Sequence, residues 1–257
     1  MDGFFARSGS VLGHVHRRKG INNQDAIIAP QTIQVGDTSF SFGAVFDGCT
    51  GGKDSKHSRN EVAAILLSAF VASEAPLILA SHTPLSEFSD MLYNRIVGYL
   101  GSIARSTVMG SPDTVWQFVQ RHLLSTVLGY ITDGSELVVF CAGDGVVLVN
   151  GEPTVIDQND QPMYPAYQLL DKRLLGGISL PDSFETVTLS LNDIDRFAIS
   201  TDGIKKCALA KPDFMEGIWS YETSARAGLQ WHLNIGANES LFEDDCSVVA
   251  FARKIKP

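Results

Sequence analysis

The sequence predicts an α+β fold in which two packed antiparallel sheets are covered by helices. Three observations predict it. Extended runs come in pairs joined by two-residue turns, as at Asp133-Gly134 and Asn150-Gly151, which is the pattern of antiparallel hairpins rather than of βαβ crossovers. Stretches with apolar residues at helical spacing alternate with those pairs. No repeat, linker or change of composition interrupts the 257 residues. One domain over 1–257 is therefore expected, although about 150 residues per domain would allow one or two.

Residues 10–16 read as the first strand. Asp25–Ala29, Thr32–Val35 and Ser39–Phe46 are extended, with a turn at Gly36-Asp37 between the last two. Val62, Ile65, Leu66, Ala69 and Phe70 then fall at helical spacing, and Ser58 with Glu61 three residues on reads as a capping box. That helix should start near 55–59. Phe88, Leu92, Ile96, Tyr99 and Ile103 share one face of a second helix from Leu85 to about Ile103, with Pro84 just before it. A short helix is expected near 112–121. Strands follow at Ser125–Ile131, Glu136–Ala142, Val146–Val149 and Pro153–Ile156, and two hairpins in succession predict a meander. Residues 157–182, rich in Pro, Gln, Asn and Asp, read as an excursion. Strands at 184–190 and 195–200, helices within 204–235 and a last strand at Cys246–Ala252 complete the chain.

The composition is that of a globular protein: 44% apolar, 9% aromatic and 19% charged residues. Twenty Lys and Arg against twenty-nine Asp and Glu give a net charge of −9. A chain this acidic is a poor nucleic-acid binder, because phosphate contacts need a positive field. Its carboxylates suit divalent cations instead. Cys49, Cys141, Cys207 and Cys246 form no Cys-x-x-Cys pair, so reduced thiols and a cytoplasmic location are expected. Met1-Asp2-Gly3 does not open a signal peptide. No apolar run is read as reaching the roughly 18 residues of a membrane span, so no membrane partner is expected.

The chemistry sits at strand ends. Phe42–Phe46 ends in Asp47-Gly48, Leu137–Gly143 in Asp144-Gly145, and Phe197–Thr201 in Asp202-Gly203. Asp244-Asp245 stands just before the apolar run that starts at Cys246, and Asp25 opens the strand at 25–29. A carboxylate just past a strand is held by a rigid element and points into a shared rim. Several together repel one another unless a cation neutralises them. Mg²⁺ and Mn²⁺ take such oxygen ligands. A single Asp-Gly is more often only a turn, as Asp133-Gly134 is read here. Three at the ends of apolar strands far apart in sequence are a different matter.

These residues carry a family resemblance. Asn22-Asn23-Gln24-Asp25-Ala26, Val45-Phe46-Asp47-Gly48-Cys49-Thr50-Gly51-Gly52, Gly143-Asp144-Gly145, Ser200-Thr201-Asp202-Gly203 and Asp244–Val249 occur in that order. The series resembles the motifs of the metal-dependent type 2C Ser/Thr protein phosphatases, especially their short bacterial branch, and spans 10–252. The resemblance implies a four-layer αββα sandwich with two Mn²⁺ or Mg²⁺ ions at one edge and room for a third. It implies hydrolysis of phosphoserine and phosphothreonine by a water activated between the metals. Asp47 would bridge the two ions and Gly48 would offer its carbonyl. Asp202 and Asp244 would hold the first ion, Asp25 would anchor metal-bound water, and Asp144 would serve a third, weaker site. Asp47, Asp202 and Asp244 would thus be the catalytic set, and the substrate a phosphorylated protein made by a Ser/Thr kinase.

Three positions depart from the family pattern. Gln24 stands where many members carry Glu. Cys49 replaces the usual His after Asp-Gly, often assigned as general acid; a metal-bound water or His57 could take its place. Gly20 replaces the phosphate-binding Arg, and Arg18, beside Arg17 and Lys19, is the chosen substitute. These departures keep open an alternative, a phosphatase-like module that binds a phosphoprotein or a regulator without turnover. Elsewhere, His14-x-His16 would share one strand face and reads as paired histidines rather than a metal site. Trp219 and Trp231 read as packing, Cys141 as core, and no nucleophile elbow or Walker loop is present.

Overall fold

Two five-stranded antiparallel sheets face each other, with helices on both outer sides. The computed structural model describes residues 3–49, 58–81, 83–108, 111–158, 163–171, 173, 180–219 and 228–254. The first sheet contains β1 (Phe4–Val11), β10 (Cys246–Arg253), β9 (Arg196–Ser200), β6 (Gly145–Val149) and β7 (Glu152–Ile156), in that spatial order. The second contains β2 (Asp25–Val35), β3 (Thr38–Asp47), β4 (Val127–Thr132), β5 (Glu136–Ala142) and β8 (Glu185–Ser190). Helices α2 (Glu61–Ala80), α3 (Leu85–Thr107) and α4 (Pro112–His122) cover the second sheet, and α5 (Lys205–Ala210), α6 (Pro212–Glu216) and α7 (Leu229–Asn238) the first. Helix α1 (His14–Lys19) joins β1 to the loop before β2.

Side-chain alternation builds these layers. On β3, Phe42, Ala44 and Phe46 pack under the helices with Leu67, Phe88 and Leu92, whereas Val45 points between the sheets. There it meets Leu128, Tyr130, Phe197, Ile199, Val249 and Phe251. Tyr130 and Phe251 meet edge to face at 5.4 Å. Asp47 follows Val45 by two residues, so β3 aims it along the inter-sheet face and out at its end.

The hairpins form where the turn residues predict. Asp133 Oδ1 accepts the Ser135 and Glu136 amides at 2.8 and 3.0 Å, and Asn150 and Gly151 hold φ values of 53° and 95°, as a type I′ turn requires. They do not form one meander. β4–β5 lies in one sheet and β6–β7 in the other, so the chain crosses between sheets at Gly143-Asp144 and leaves Asp144 at their common edge.

Several local expectations are corrected. The first strand is Phe4–Val11, and His14–Lys19 is helical. Its first amides are taken by the Phe242 and Glu243 carbonyls at 3.0 and 3.1 Å, which overrides the alternating pattern. Helix α2 starts at Glu61 without a capping box; Ser58 instead bonds the Cys49 carbonyl. Its buried face is Ala63, Ala64, Leu67, Val71, Ala75, Ile78 and Leu79, while Val62 and Ile65 are exposed. Small alanines let the helix lie close on β2 and β3, and a helix apolar almost all round gives periodicity no phase to report. By length and composition alone, with a hydropathy of 2.1, Glu61–Ala80 is also long and apolar enough to cross a membrane, contrary to the expectation that no run reaches that length. Trp219 is buried, but Trp231 is half exposed.

Candidate active site

Five aspartates from distant segments meet at one edge of the sandwich. Asp25 opens β2 and pairs in register with Asp47, the last residue of β3. Asp202 starts a 3₁₀ turn after β9, Asp244 precedes β10, and Asp144 sits at the sheet crossing. Asp47 is pinned by its backbone: its amide donates to Thr126 Oγ1 at 3.2 Å and its carbonyl accepts the Thr126 amide at 2.8 Å. Burial first, then the charges of Asp25, Asp202, Asp244 and Asp144, push its carboxyl well above the usual range. Asp25 is raised by burial and by Asp245 and Asp244, against hydrogen bonds from Ser247 and Thr201. Asp202 is pushed up to about 6 by burial, Asp144 and Asp244, with Asp47 and Lys205 acting the other way. Desolvation and mutual repulsion thus act together on one group of acids.

Two neighbours make the close approach possible. A Cβ at Gly203 would overlap the Asp245 carbonyl, and one at Gly48 would overlap the Asn60 carbonyl, so each Asp-Gly step lets a second chain segment pack onto the aspartate's own backbone. Gly48 is buried, its amide donating to the Gln24 carbonyl at 3.1 Å.

Asp244 and Asp245 take different parts. Asp245 is 2% exposed and fully engaged: it accepts the Gly13 amide at 2.9 Å, the Gln24 amide at 2.7 Å and His16 Nδ1 at 3.0 Å. It fixes the loop that carries Gln24 and Asp25. The Asp244 side chain is 50% exposed and faces the rim, its Oδ1 3.3 Å from His16 Nδ1. His16, Asp244 and Asp245 bring one ligand atom each within 4.8 Å, but the His16 nitrogen is spent on Asp245, and His16 is raised chiefly by that bond.

The donor set suits a hard cation. Asp25 Oδ1 and Asp202 Oδ1 are buried carboxylate oxygens without a hydrogen-bond partner among the described residues, a costly state unless a cation takes them. Gln24 is buried beside Asp25. Arg18 is exposed in the last turn of α1 and makes no ion pair or hydrogen bond among the described residues; Gly20 ends that helix in the left-handed region at φ 66°. His57 and Thr50-Gly51-Gly52 lie outside the described residues.

Cys49 lies beside the acids, with the charge of Asp144 adding to the effect of burial. Its thiol meets Asn60 Nδ2 at 3.5 Å and the hydroxyl of Tyr164, and burial pushes its pKa up, so it stays protonated. Sequence reasoning missed the residues that hold it. Asn60 is fully buried and donates to the carbonyls of Cys49 at 2.9 Å and Gln120 at 3.2 Å, while its Oδ1 accepts the Leu124 amide at 3.2 Å. An Asn immediately before an apolar helix signals only a cap; nothing local shows that it ties three segments. Tyr164 comes from the 157–182 excursion, which no periodicity marks.

A family model described as protein phosphatase 2C matches residues 12–234. Among solved structures, the serine/threonine phosphatase Stp1 from Staphylococcus aureus is 14% identical, with a TM-score of 0.61 over 97% of this chain and 95% of that one. The catalytic domain of the serine/threonine protein phosphatase PstP, in complex with two manganese ions, is 16% identical, with a TM-score of 0.57 over 97% of each chain. A serine/threonine phosphatase of S. agalactiae is 13% identical, with a TM-score of 0.59 over 98% of this chain and 100% of that one. No curated protein sequence matches. At these identities the structural likeness shows a shared fold, the αββα arrangement of two antiparallel sheets between helical layers.

Proposed function

This chain belongs to the protein phosphatase 2C family, and from that premise we propose that it removes phosphate from phosphoserine and phosphothreonine of proteins, using two divalent cations held by Asp47, Asp202 and Asp244. The supporting observation is the ring of acids around Asp47: beside burial, Asp25, Asp202, Asp244 and Asp144 all raise its carboxyl, and Asp144 and Asp244 raise that of Asp202. A folded chain tolerates that repulsion where a cation relieves it.

Asp47, aimed along the inter-sheet face, would reach both ions, with the Gly48 carbonyl beside it. Asp202 and Asp244 would complete one site, and Asp144 would serve a weaker one. Bound cations would supply the neutralising charge for a phosphate dianion and lower the pKa of an attacking water. Asp25 would hold water rather than metal directly: its Oδ2 accepts Thr201 Oγ1 at 2.8 Å, which leaves Oδ1 for the site. Gln24 adds no charge there. Cys49, half-buried and hydrogen-bonded to Tyr164 and Asn60, would be neither nucleophile nor proton donor, so protonation of the leaving oxygen would fall to solvent in the site. Arg18, on a short exposed helix next to the acids, is offered as the phosphate anchor, Mn²⁺ or Mg²⁺ as the metal, and the product of a Ser/Thr kinase as the substrate. The four cysteines are free thiols, three of them buried, which fits a cytoplasmic, reducing location.

Hydrolysis of an aryl phosphate and of a phosphothreonine peptide by the purified chain, with and without Mn²⁺, tests the reading. Metal-dependent release of phosphate from both supports it. No turnover in any divalent metal sinks it and leaves the silent phosphoprotein-binding module.

A further inference from the structure

Helix α1 is six residues long, and its entry is laid along the segment that carries Asp244. The His14 amide donates to the Phe242 carbonyl at 3.0 Å and the Val15 amide to the Glu243 carbonyl at 3.1 Å. His14 Nδ1 meets the Phe242 carbonyl as well, at 2.9 Å, and the Gly13 amide donates to Asp245 Oδ1 at 2.9 Å. A Cβ at Gly13 would overlap the Asp244 carbonyl, so only glycine lets the two segments approach this closely. A helix this short does not stand alone in water. It holds its shape on residues 242–245.

His16 completes this contact. It is buried, and its Nδ1 lies 3.0 Å from Asp245 Oδ2 and 3.3 Å from Asp244 Oδ1. Both neighbours are carboxylate oxygens, so that nitrogen carries a hydrogen and presents it between them. The two aspartates differ in what else holds them. Asp245 is buried and has two backbone amides besides His16, those of Gly13 and Gln24, so it keeps its place without the imidazole. The Asp244 side chain is half exposed, and a carboxylate in solvent can sample several rotamers. Its Oδ1 also accepts the Asp245 amide at 2.8 Å. With two donors on Oδ1, the oxygen left over is Oδ2.

Resting on the reading that Asp244 holds a divalent cation, we propose that His16 is a positioning residue for Asp244: the buried imidazole fixes Oδ1 on the protein side and so presents Oδ2 to the cation. A ligand already set in place loses less freedom when the cation binds. Groups that orient a metal-binding side chain in this way are worth roughly 10–100-fold in metal affinity. His16 acts only through Asp244 and touches neither substrate nor reacting atom.

Calorimetric titration of the chelated full chain with Mn²⁺, beside urea denaturation of each variant, tests it. His16→Phe keeps a flat ring and removes the donor, and should weaken Mn²⁺ binding at one site by roughly 10–100-fold. His16→Asn puts an amide nitrogen where Nδ1 stands and should recover most of that loss. In an Asp244→Ala background, His16→Phe should change Mn²⁺ affinity by no more than about twofold, because the carboxylate it acts through is gone. Loss of His16 also strands the buried charge of Asp245, so a second comparison removes that charge: His16→Phe with Asp245→Asn should bind Mn²⁺ more weakly than Asp245→Asn alone. The proposal is overturned by a His16→Phe chain, with or without Asp245→Asn, that loses urea stability but binds Mn²⁺ as its parent does. It is overturned equally by a His16→Asn chain no better than His16→Phe, or by an undiminished loss once Asp244 is gone. Each of these leaves the metal-dependent reading standing. A wild-type chain that binds no Mn²⁺ sinks that reading, and this proposal with it.

Discussion

Replacing Asp202 by Asn should make the metal-free protein more stable, which few substitutions of a buried carboxylate do. The side chain keeps its size and one oxygen but loses a charge that the fold resists. Burial and the neighbouring Asp144 and Asp244 push its carboxyl from 3.8 to about 6. A folded pKa raised by that much makes the ionised form cost about 3 kcal/mol at neutral pH, an upper figure because neighbouring acids share the strain. The sign follows from linkage. A carboxyl that binds its proton more tightly when folded lends stability that is full below pH 3.8 and is lost as pH rises through about 6. In chelator at pH 7.5 the Asn variant should therefore melt higher than wild type, by up to about 6–10 °C for a chain of this size. The gap should shrink as pH falls toward 4, where the wild-type carboxyl is protonated. Mn²⁺ should raise the wild-type midpoint by mass action and move the variant much less. Thermal melts across pH 4–8, with chelator and with Mn²⁺, check all of this. A variant that melts lower than wild type in chelator, with no pH trend in the difference and an undiminished Mn²⁺ response, would refute the reasoning and make Asp202 a structural turn residue.

Other perturbations separate metal-binding from scaffold roles. Asp245→Ala should cost roughly 3 kcal/mol or more with or without metal, since it strips bonds from Gly13, Gln24 and His16; urea denaturation measures it. Asp244→Ala should shift the metal-free stability by about 1 kcal/mol or less, the worth of the Asp245 amide bond that its Oδ1 accepts, yet remove most of the Mn²⁺-induced stabilisation in the same assay. Asn60→Ala should destabilise by roughly 2–4 kcal/mol, because it orphans the Leu124 amide and the Gln120 carbonyl and leaves the Cys49 carbonyl with Ser58 as its donor. Cys49→Ser should keep turnover within about tenfold, against the hundredfold or more of a lost general acid, and steady-state kinetics decide between them. Gln24→Glu should lower the Mn²⁺ concentration for half-maximal activation, since it adds charge beside Asp25; an unchanged curve removes Gln24 from the site.

Local chemistry was readable in the sequence, and long-range geometry was not. Asp133-Gly134 and Asn150-Gly151 specify their hairpins because turn residues act over four positions. Which sheet each hairpin joins is decided by packing across the sandwich, so the expected meander split at Gly143-Asp144. The strand-end aspartates were visible as a pattern, since Asp47, Asp144 and Asp202 each end an apolar run and Asp25 and Asp244 stand before one. Their convergence on Asp47 needed the fold. Helix α2 misled because a segment apolar nearly all round has no preferred face in one dimension, and the surface chosen was set by where Ala63 and Ala64 fit. His14–Lys19 looked extended, but the carbonyls that start its helix come from Phe242 and Glu243, some 228 residues away in the chain for His14. Asn60 and Tyr164 escaped notice for the same reason. Each acts through partners distant in sequence, and neither residue type announces such a task.

Calorimetric titration of the chelated protein with Mn²⁺ at neutral pH, beside an Asp47→Asn variant, tests most directly whether the aspartate cluster is a paired cation site. The account predicts at least two Mn²⁺ per chain for the wild type and loss of both tight sites together in the variant, because Asp47 is the one carboxylate placed among all the others. Binding of fewer than one ion per chain, or a variant that binds as the wild type does, would contradict it.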